Sequence, residues 1–453
     1  MRANDHPAAV GIDLGTTTIS AAALDLETGE LLETKTIPNA AALPSPTGIE
    51  REQDTDKICA AAERLLDGIA ERYRVSCIGL TGQMHGIVYL GADGKTLSPL
   101  YTWQDGRAGV GSPSPCERIA ALTGYGTAPG YGLATHYANH LTGSVPAGAK
   151  KLATVMDCFG VRLTGRKAPL IHAQNAASLG LFDTGAMRFD TDAATKLGLD
   201  PSILPDVTTR AEIIGEYRDV PVCAAIGDNQ AAFLGAVRDP ETSALANIGT
   251  GSQISLAVCP GAEVITSRSL ELRPFLEDRM LASGSALYGG AAYALLERFF
   301  RAYAEEAGFE GGEQYEILNR LALAAEDGPV LSVRTTFGGT RDDPELKGLI
   351  ADVTAENFTP GALAAGVLAG MAEELYGLYE RIPHDGVKTL VLSGNAARKN
   401  PALQKIVKRV FGLDVLIPIC REEAALGSAL FAADAAGFDG KTARRCLAYT
   451  AVE

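Results

Sequence analysis

Several things are scarce in this chain, and each scarcity excludes something. Its 453 residues hold one tryptophan, six histidines and no long run of lysine or arginine. The eight cysteines stand far apart, at 59, 77, 116, 158, 223, 259, 420 and 446, and none forms C-x-x-C. That spacing argues against a zinc site or a disulfide framework, and reduced thiols in a cytoplasm are the expectation. No stretch approaches the roughly 18 unbroken apolar residues of a membrane helix. The opening MRANDHPAAV lacks the apolar core of a signal peptide. Acid outweighs base, 55 against 40, for a net charge of −15. A phosphate backbone is repelled by such a chain, so neither nucleic acid nor membrane is an expected partner. What remains is a composition of globular type, 46% hydrophobic and 21% charged. Its length calls for two large domains or three small ones.

The N-terminus reads as a β meander. Val10–Leu14 is a strand, Gly15-Thr16-Thr17 a turn, Ile19–Leu26 a second strand and Leu31–Ile37 a third. Apolar residues at 58, 62, 65, 69 and 73 predict a helix over Asp56–Tyr73 with Thr55 as its cap, and Ser76–Leu80 returns to strand. Residues 39–48 and 108–115 read as loops. Asp13-Leu14-Gly15-Thr16-Thr17-Thr18 has an echo in Asn247-Ile248-Gly249-Thr250-Gly251-Ser252, about half the chain away. Both follow an apolar strand and both precede another, so two related halves are expected, each opening with a strand–turn–strand hairpin. Tight Gly/Thr turns aim N–H and hydroxyl donors at phosphates, and a pair can grip a triphosphate. Asp13 adds a carboxylate suited to a hydrated Mg²⁺. Gly94-Lys95-Thr96 imitates the end of a Walker loop, but the glycine five residues earlier is Tyr89, so Ala92–Lys95 reads as a hairpin turn.

Four further stretches carry chemistry. Gly79–Gly86 ends a strand in a Gly-flanked turn holding Met84 and His85, at the strand end where α/β sheets collect ligands. Trp103-Gln104-Asp105-Gly106-Arg107 sets an indole beside polar groups, which suits a sugar's C–H faces and hydroxyl edges or, equally, a core tryptophan with a surface Asp–Arg pair. Gly227-Asp228-Asn229-Gln230 follows a buried strand. There Asp228 is either a helix cap or a carboxylate that takes the proton of an attacking hydroxyl. Ser393–Asn400 is a strand–glycine loop–helix unit that can seat a nucleoside on bare backbone.

In this order the motifs resemble the FGGY carbohydrate kinases, of the actin/hexokinase-like group, over Val10 to about Ala433. The resemblance implies an α/β fold of two ribonuclease-H-like domains with a cleft between them, divided as 1–236 for the sugar and 237–453 for the nucleotide. It implies ATP and Mg²⁺ as cofactors and phosphorylation of a sugar's terminal hydroxyl. Asp228 would be the catalytic base, and Asp13 would sit by the metal. Met84, His85, Trp103, Asn229 and Tyr131 would line the sugar site. Thr16, Thr17, Gly249, Thr250 and Gly251 would hold phosphates, and Gly290, Gly394, Asn395, Ala396 and Asn400 would meet the rest of the nucleotide. Gly130–Thr135 and Gln174–Gly180 are similar to the sedoheptulose-phosphorylating members, which sets sedoheptulose first and xylulose or another polyol second. A nucleotide-binding regulator or ATPase of the same fold is the reading from another class. The chain departs from the family in three places. No basic residue follows Thr18, Ser393-Gly394-Asn395 stands where three glycines are usual, and residues 348–371 fit the second family signature only loosely. Oligomeric state is not legible, with a homodimer left open.

Overall fold

A computed structural model of the chain describes residues 4–276, 279–309, 311–325, 328 and 331–453. Two compact units form. The first comprises Met1–Gly235, Pro274–Glu277 and Arg421–Leu447, and the second Ala236–Arg273, Asp278–Cys420 and Ala448–Glu453.

The first unit is built on a seven-stranded sheet. Its strands are β1 (Asn4–Leu14), β2 (Thr18–Asp25), β3 (Leu31–Pro38), β4 (Tyr73–Gly82), β5 (Ile213–Tyr217), β6 (Val220–Cys223) and the two-residue β7 (Ile226–Gly227). The order is β5-β6-β4-β1-β2-β3, with β7 added at the end of β4. Side chains alternate across β1. Val10, Ile12 and Leu14 enter a core with Ile58, Ala62 and Leu65 of the helix Thr55–Ala70. Gly11 and Asp13 therefore face the other side, where the helix Glu423–Ala435 lies. That helix packs backbone against backbone. A Cβ on Gly11 would stand 1.8 Å from the Ala425 carbonyl oxygen, and one on Gly79 would stand 1.9 Å from that of Ser428. A second crossing joins it to the helix Asp228–Ala236, where a Cβ on Gly235 would meet the Glu423 oxygen at 1.9 Å and one on Gly427 the Ala231 oxygen at 1.8 Å. These contacts explain why Arg421–Leu447 belongs to the first unit, and a single division at 236/237 does not describe the chain. A smaller core, with Ile87, Tyr89, Leu133, Phe182 and Phe189, underlies residues 87–207.

The second unit is also built on a seven-stranded sheet. Its strands are β8 (Ser243–Ile248), β9 (Ser252–Val258), β10 (Leu270–Pro274), β11 (Met280–Ala286), β12 (Thr389–Ser393), β13 (Asp414–Pro418) and β14 (Tyr449–Ala451). They run β10-β11-β9-β8-β12-β13-β14. Pairing is antiparallel for β11-β9-β8, parallel for β8-β12-β13 and antiparallel for β13-β14. The sequence β3-β2-β1-β4-β6-β5 has the same pattern of directions. The internal echo at Gly15 and Gly249 is thus a repeat of topology, with each turn closing the central hairpin of its sheet.

Local expectations hold with shifts at element ends. The predicted helix over 56–73 runs Thr55–Ala70, and its cap is Asp54, whose carboxylate accepts from the Lys57 N–H at 3.0 Å. Thr55 is buried and spends its hydroxyl on the Ser98 carbonyl. Tyr73 begins β4, which is longer than expected because it pairs with β1 along nearly its whole length. At 92–95 the chain turns as a hairpin, Gly91 N–H donating to the Lys95 oxygen at 2.9 Å. No helix among the described residues is long and apolar enough to cross a membrane.

Replacing Gly235 by alanine forces the two helices at the second crossing apart. Such overpacking costs about 1–3 kcal/mol, and urea unfolding of Gly235→Ala is expected to show a loss in that range.

Candidate functional site

Asp228 is the first residue of the helix Asp228–Ala236, directly after β7. The strand end that presents it is pinned from three sides. Thr81 donates its hydroxyl to the Ile226 oxygen at 2.9 Å, Gln174 Oε1 accepts from Gly227 N–H at 3.2 Å, and Asn175 Nδ2 donates to the Ala225 oxygen at 2.9 Å. Asp228 is half-buried and accepts from the N–H of Asn229 at 2.7 Å.

Asp13, at the end of β1, shares this corner. Burial pushes its carboxyl up to about 7, with the negative charges of Asp228 and Glu422 adding to the rise. Its Oδ1 is buried and has no hydrogen-bond partner in the protein. An unsatisfied carboxylate oxygen beside two further acids fits a divalent cation. Among the described residues no three acidic, histidine or cysteine side chains converge as a metal cage. A hydrated Mg²⁺, which keeps several waters and binds through few carboxylates, suits that arrangement.

The first Gly/Thr turn is held by amides that lie far off in the sequence. Asn39 Nδ2 donates to the Gly15 oxygen at 2.9 Å and Gln53 Nε2 to the Thr16 oxygen at 2.8 Å. Peptide planes are rigid and trans, so the N–H groups of Thr16 and Thr17 point to the opposite side of the turn. Gln83 Nε2 donates to Gln53 Oε1 at 2.9 Å, closing the chain of amides. Trp103 is 47% exposed and joins the same network, its indole N–H donating to the Thr16 hydroxyl at 3.0 Å. Gln53 reaches this point because Glu52–Gln53 pairs with Leu100–Tyr101, just before the tryptophan.

Asp105 and Arg107 of the tryptophan motif build the loop. Asp105 is fully buried, and Arg107 grips both its oxygens at 2.7 and 3.0 Å, together with Glu52 and Asn139.

His85 sits in the left-handed region at φ 71. Ser178 holds it there. The serine hydroxyl accepts from the His85 N–H at 3.2 Å, and His85 Nδ1 lies 2.8 Å from the Ser178 carbonyl. A carbonyl only accepts, so Nδ1 carries the proton. The imidazole stacks on Tyr131 at 4.7 Å. Met84 is only 4% exposed and packs in the core against Gly227, so it backs the Asp228 strand end rather than lining open space.

In the second unit, Gly249, Thr250 and Gly290 line a cavity of about 570 Å³ together with Arg298. The turn's own carbonyls accept from the N–H groups that open the helix Gly290–Glu306: Gly290 donates to Gly249 at 2.7 Å and Ala291 to Thr250 at 3.0 Å. Gly290 therefore lines the space with its surface while its N–H is spent. A second cavity, about 630 Å³, is lined by Gly290, Asn395, Ala396 and Asn400. Asn400 also caps the helix Pro401–Phe411, accepting from Leu403 N–H at 3.1 Å. Gly394 does not reach either cavity; its α-carbon lies against the Ile248 carbonyl at the end of β8.

Residues 8–245 match the N-terminal domain of the FGGY family of carbohydrate kinases, and residues 274–436 match its C-terminal domain. The chain belongs to this family. Among similar proteins, the sedoheptulokinase of Mus musculus is 27% identical over 94% of this chain and 97% of its own length. The xylulose kinase of Streptomyces coelicolor is 25% identical over 96% and 89%. In fold, the crystal structure of xylulose kinase from Rhodospirillum rubrum superposes with a TM-score of 0.81 at 20% identity, covering 98% of this chain and 93% of that one. The protein is an ATP-dependent sugar kinase, which sets aside the regulator reading.

Sequence reasoning on this kinase missed Asn39, Gln53, Gln83, Ser178, Arg298 and Glu422. Gln83 and Ser178 lie inside stretches already singled out, Gly79–Gly86 and Gln174–Gly180, and Arg298 stands two helical repeats of four after Gly290 and so shares its face. Asn39 and Gln53 left none, because each acts on a backbone group remote in the chain. Removing Gln53 takes away the donor to the Thr16 carbonyl and the acceptor for Gln83. Gln53→Leu is expected to lower kcat/KM for ATP by about tenfold or more, measured by coupled ADP release at fixed sugar.

Proposed function

We propose that this kinase transfers the γ-phosphate of ATP to the terminal hydroxyl of a ketose, with sedoheptulose ahead of xylulose and other polyols. The observation that carries the mechanism is the corner where Asp228, the first residue of a helix, and Glu422 both stand within electrostatic reach of Asp13. Phosphoryl transfer asks mainly for alignment and charge neutralisation, with one carboxylate to orient the hydroxyl and accept its proton. Asp228 takes that role. His85, Tyr131, Asn229 and Trp103 hold the sugar, and Thr16 and Thr17 offer N–H groups to phosphate. Asp13 would hold a hydrated Mg²⁺. When bound, the ion neutralises charge on the phosphates.

The nucleotide belongs to the second unit. Gly249, Thr250 and Gly251 take the phosphates, and Asn395, Ala396 and Asn400 meet the nucleoside. Arg298 supplies the cation that the stretch after Thr18 lacks; its place in the cavity with Gly249 and Thr250 supports this. A cytoplasmic setting is proposed on the eight cysteines, which stand far apart and form no C-x-x-C.

Support for sedoheptulose is the likeness to the mouse sedoheptulokinase. The Gln174–Gly180 run adds to it indirectly, since Gln174, Asn175 and Ser178 scaffold the Asp228 strand and His85.

Asp228→Asn is expected to lower kcat by about 10²–10⁴-fold, as loss of a general base does, with nucleotide binding retained. Near-normal turnover would refute the role. A panel of free sugars and polyols, followed by ADP release, is expected to give the highest kcat/KM with sedoheptulose. A higher value for xylulose would move the substrate and leave the chemistry intact.

A further inference from the structure

The sequence places the Thr16 hydroxyl among the phosphate donors, but the hydrogen bonds around it give it another use. Their directions follow from two fixed ends. A carbonyl oxygen only accepts, so Gln53 meets the Thr16 oxygen with Nε2, at 2.8 Å. Gln53 Oε1 is then turned toward Gln83 and accepts from Gln83 Nε2 at 2.9 Å. That leaves Gln83 Oε1 toward the Thr16 hydroxyl, which donates to it across 3.4 Å. The other end is the indole N–H of Trp103, which only donates and gives its hydrogen to the same hydroxyl at 3.0 Å. The directions agree from both ends. Thr16 spends its one hydroxyl hydrogen on Gln83 and a lone pair on Trp103, so its side chain has no hydrogen left for a phosphate. Gln53 and Gln83 are both buried, where a lost hydrogen bond is not replaced by water.

The main chain at the tryptophan is fixed by the two loops that carry sugar-lining groups. A Cβ on Gly130, next to Tyr131, would stand 1.6 Å from the Trp103 carbonyl oxygen. One on Gly86, next to His85, would stand 2.5 Å from the Tyr101 oxygen. Backbone thus packs on backbone at both places, while the indole itself is half exposed. Its open face suits a sugar, and its single donor lands on the turn whose N–H groups point away toward phosphate.

We propose that Trp103 is a positioning residue for the phosphates of ATP: its indole N–H sets the Thr16 side chain and, through Gln83 and Gln53, the donor side of the first Gly/Thr turn. The inference rests on the assignment of that turn to the phosphates and of the indole face to the sugar. It gives one side chain two separable tasks, a face for one substrate and an N–H that acts on the other through Thr16.

Three variants of the full chain separate the tasks. Trp103→Phe keeps an apolar face and deletes the N–H, Thr16→Val keeps the shape and deletes the acceptor, and Thr16→Ser keeps the hydroxyl. With the sugar that turns over fastest in the panel, kcat/KM for ATP is expected to fall about tenfold in Trp103→Phe and in Thr16→Val, the scale of one hydrogen bond removed from a buried network. Thr16→Val should leave the KM of the sugar within about threefold, and Thr16→Ser should restore the ATP value, since only the hydroxyl is used. The double variant Trp103→Phe/Thr16→Val should lose no more than the worse single one, as two groups acting through one bond do. Multiplying losses overturn the proposal, as does a Trp103→Phe whose defect lies wholly in the KM of the sugar. Trp103 is the chain's one tryptophan, so its emission reads the bond without turnover. Thr16→Val should move the emission maximum to shorter wavelength and Thr16→Ser should leave it in place. An unmoved maximum in a folded Thr16→Val overturns the proposal even if the phenylalanine variant fails to fold. A panel led by another sugar replaces the ketose assignment and leaves this inference standing, and near-normal turnover of Asp228→Asn removes the base without touching it.

Discussion

The contact on which the rest of the first unit depends is made by backbone atoms. The helix Glu423–Ala435 lies so close to β1 and β4 that carbonyl oxygens occupy the space of absent side chains at Gly11 and Gly79. The same helix crosses Asp228–Ala236 at Gly235 and Gly427. A larger residue at any of the four would separate main chains rather than displace a flexible side chain. Because the helix lies on the face of β1 that carries Gly11 and Asp13, Glu422 at its start comes within electrostatic reach of Asp13. Close packing thus sets the field at the acidic corner.

Around that corner the protein uses amides and hydroxyls as fixings. Gln174 and Asn175 hold the strand before Asp228, Ser178 fixes the conformation and tautomer of His85, and Gln53 orients the turn at Thr16. Each side chain bonds to main chain from another part of the sequence, and most are buried, where a hydrogen bond is costly to lose. Preorganisation of this kind suits phosphoryl transfer, in which placement of groups supplies most of the catalysis. Trp103 belongs to both sides of the design, presenting an exposed indole face while its N–H is tied to the Thr16 hydroxyl.

The fold was largely legible from short-range pattern. Strand–turn–strand signals at Gly15 and Gly249 fixed two hairpins, and the solved topology repeats around each of them. Motif residues fared unevenly. His85, Tyr131 and Trp103 stand as half-buried or exposed groups, whereas Met84, Asp105 and Arg107 are structural. Nothing local separates these two outcomes, since a buried arginine clamp and a ligand-facing one have the same letters around them.

Composition, periodicity and the internal echo determined by themselves that the chain is a duplicated α/β protein with a carboxylate after a buried strand, because those features depend on neighbours within one element. Only the tertiary structure decided that the last long helix returns to the first unit, that Glu422 joins Asp13 and Asp228, and that Trp103 reaches Thr16. Those facts depend on which distant segments can approach, and approach is governed by glycine clearance and buried hydrogen bonding across the fold.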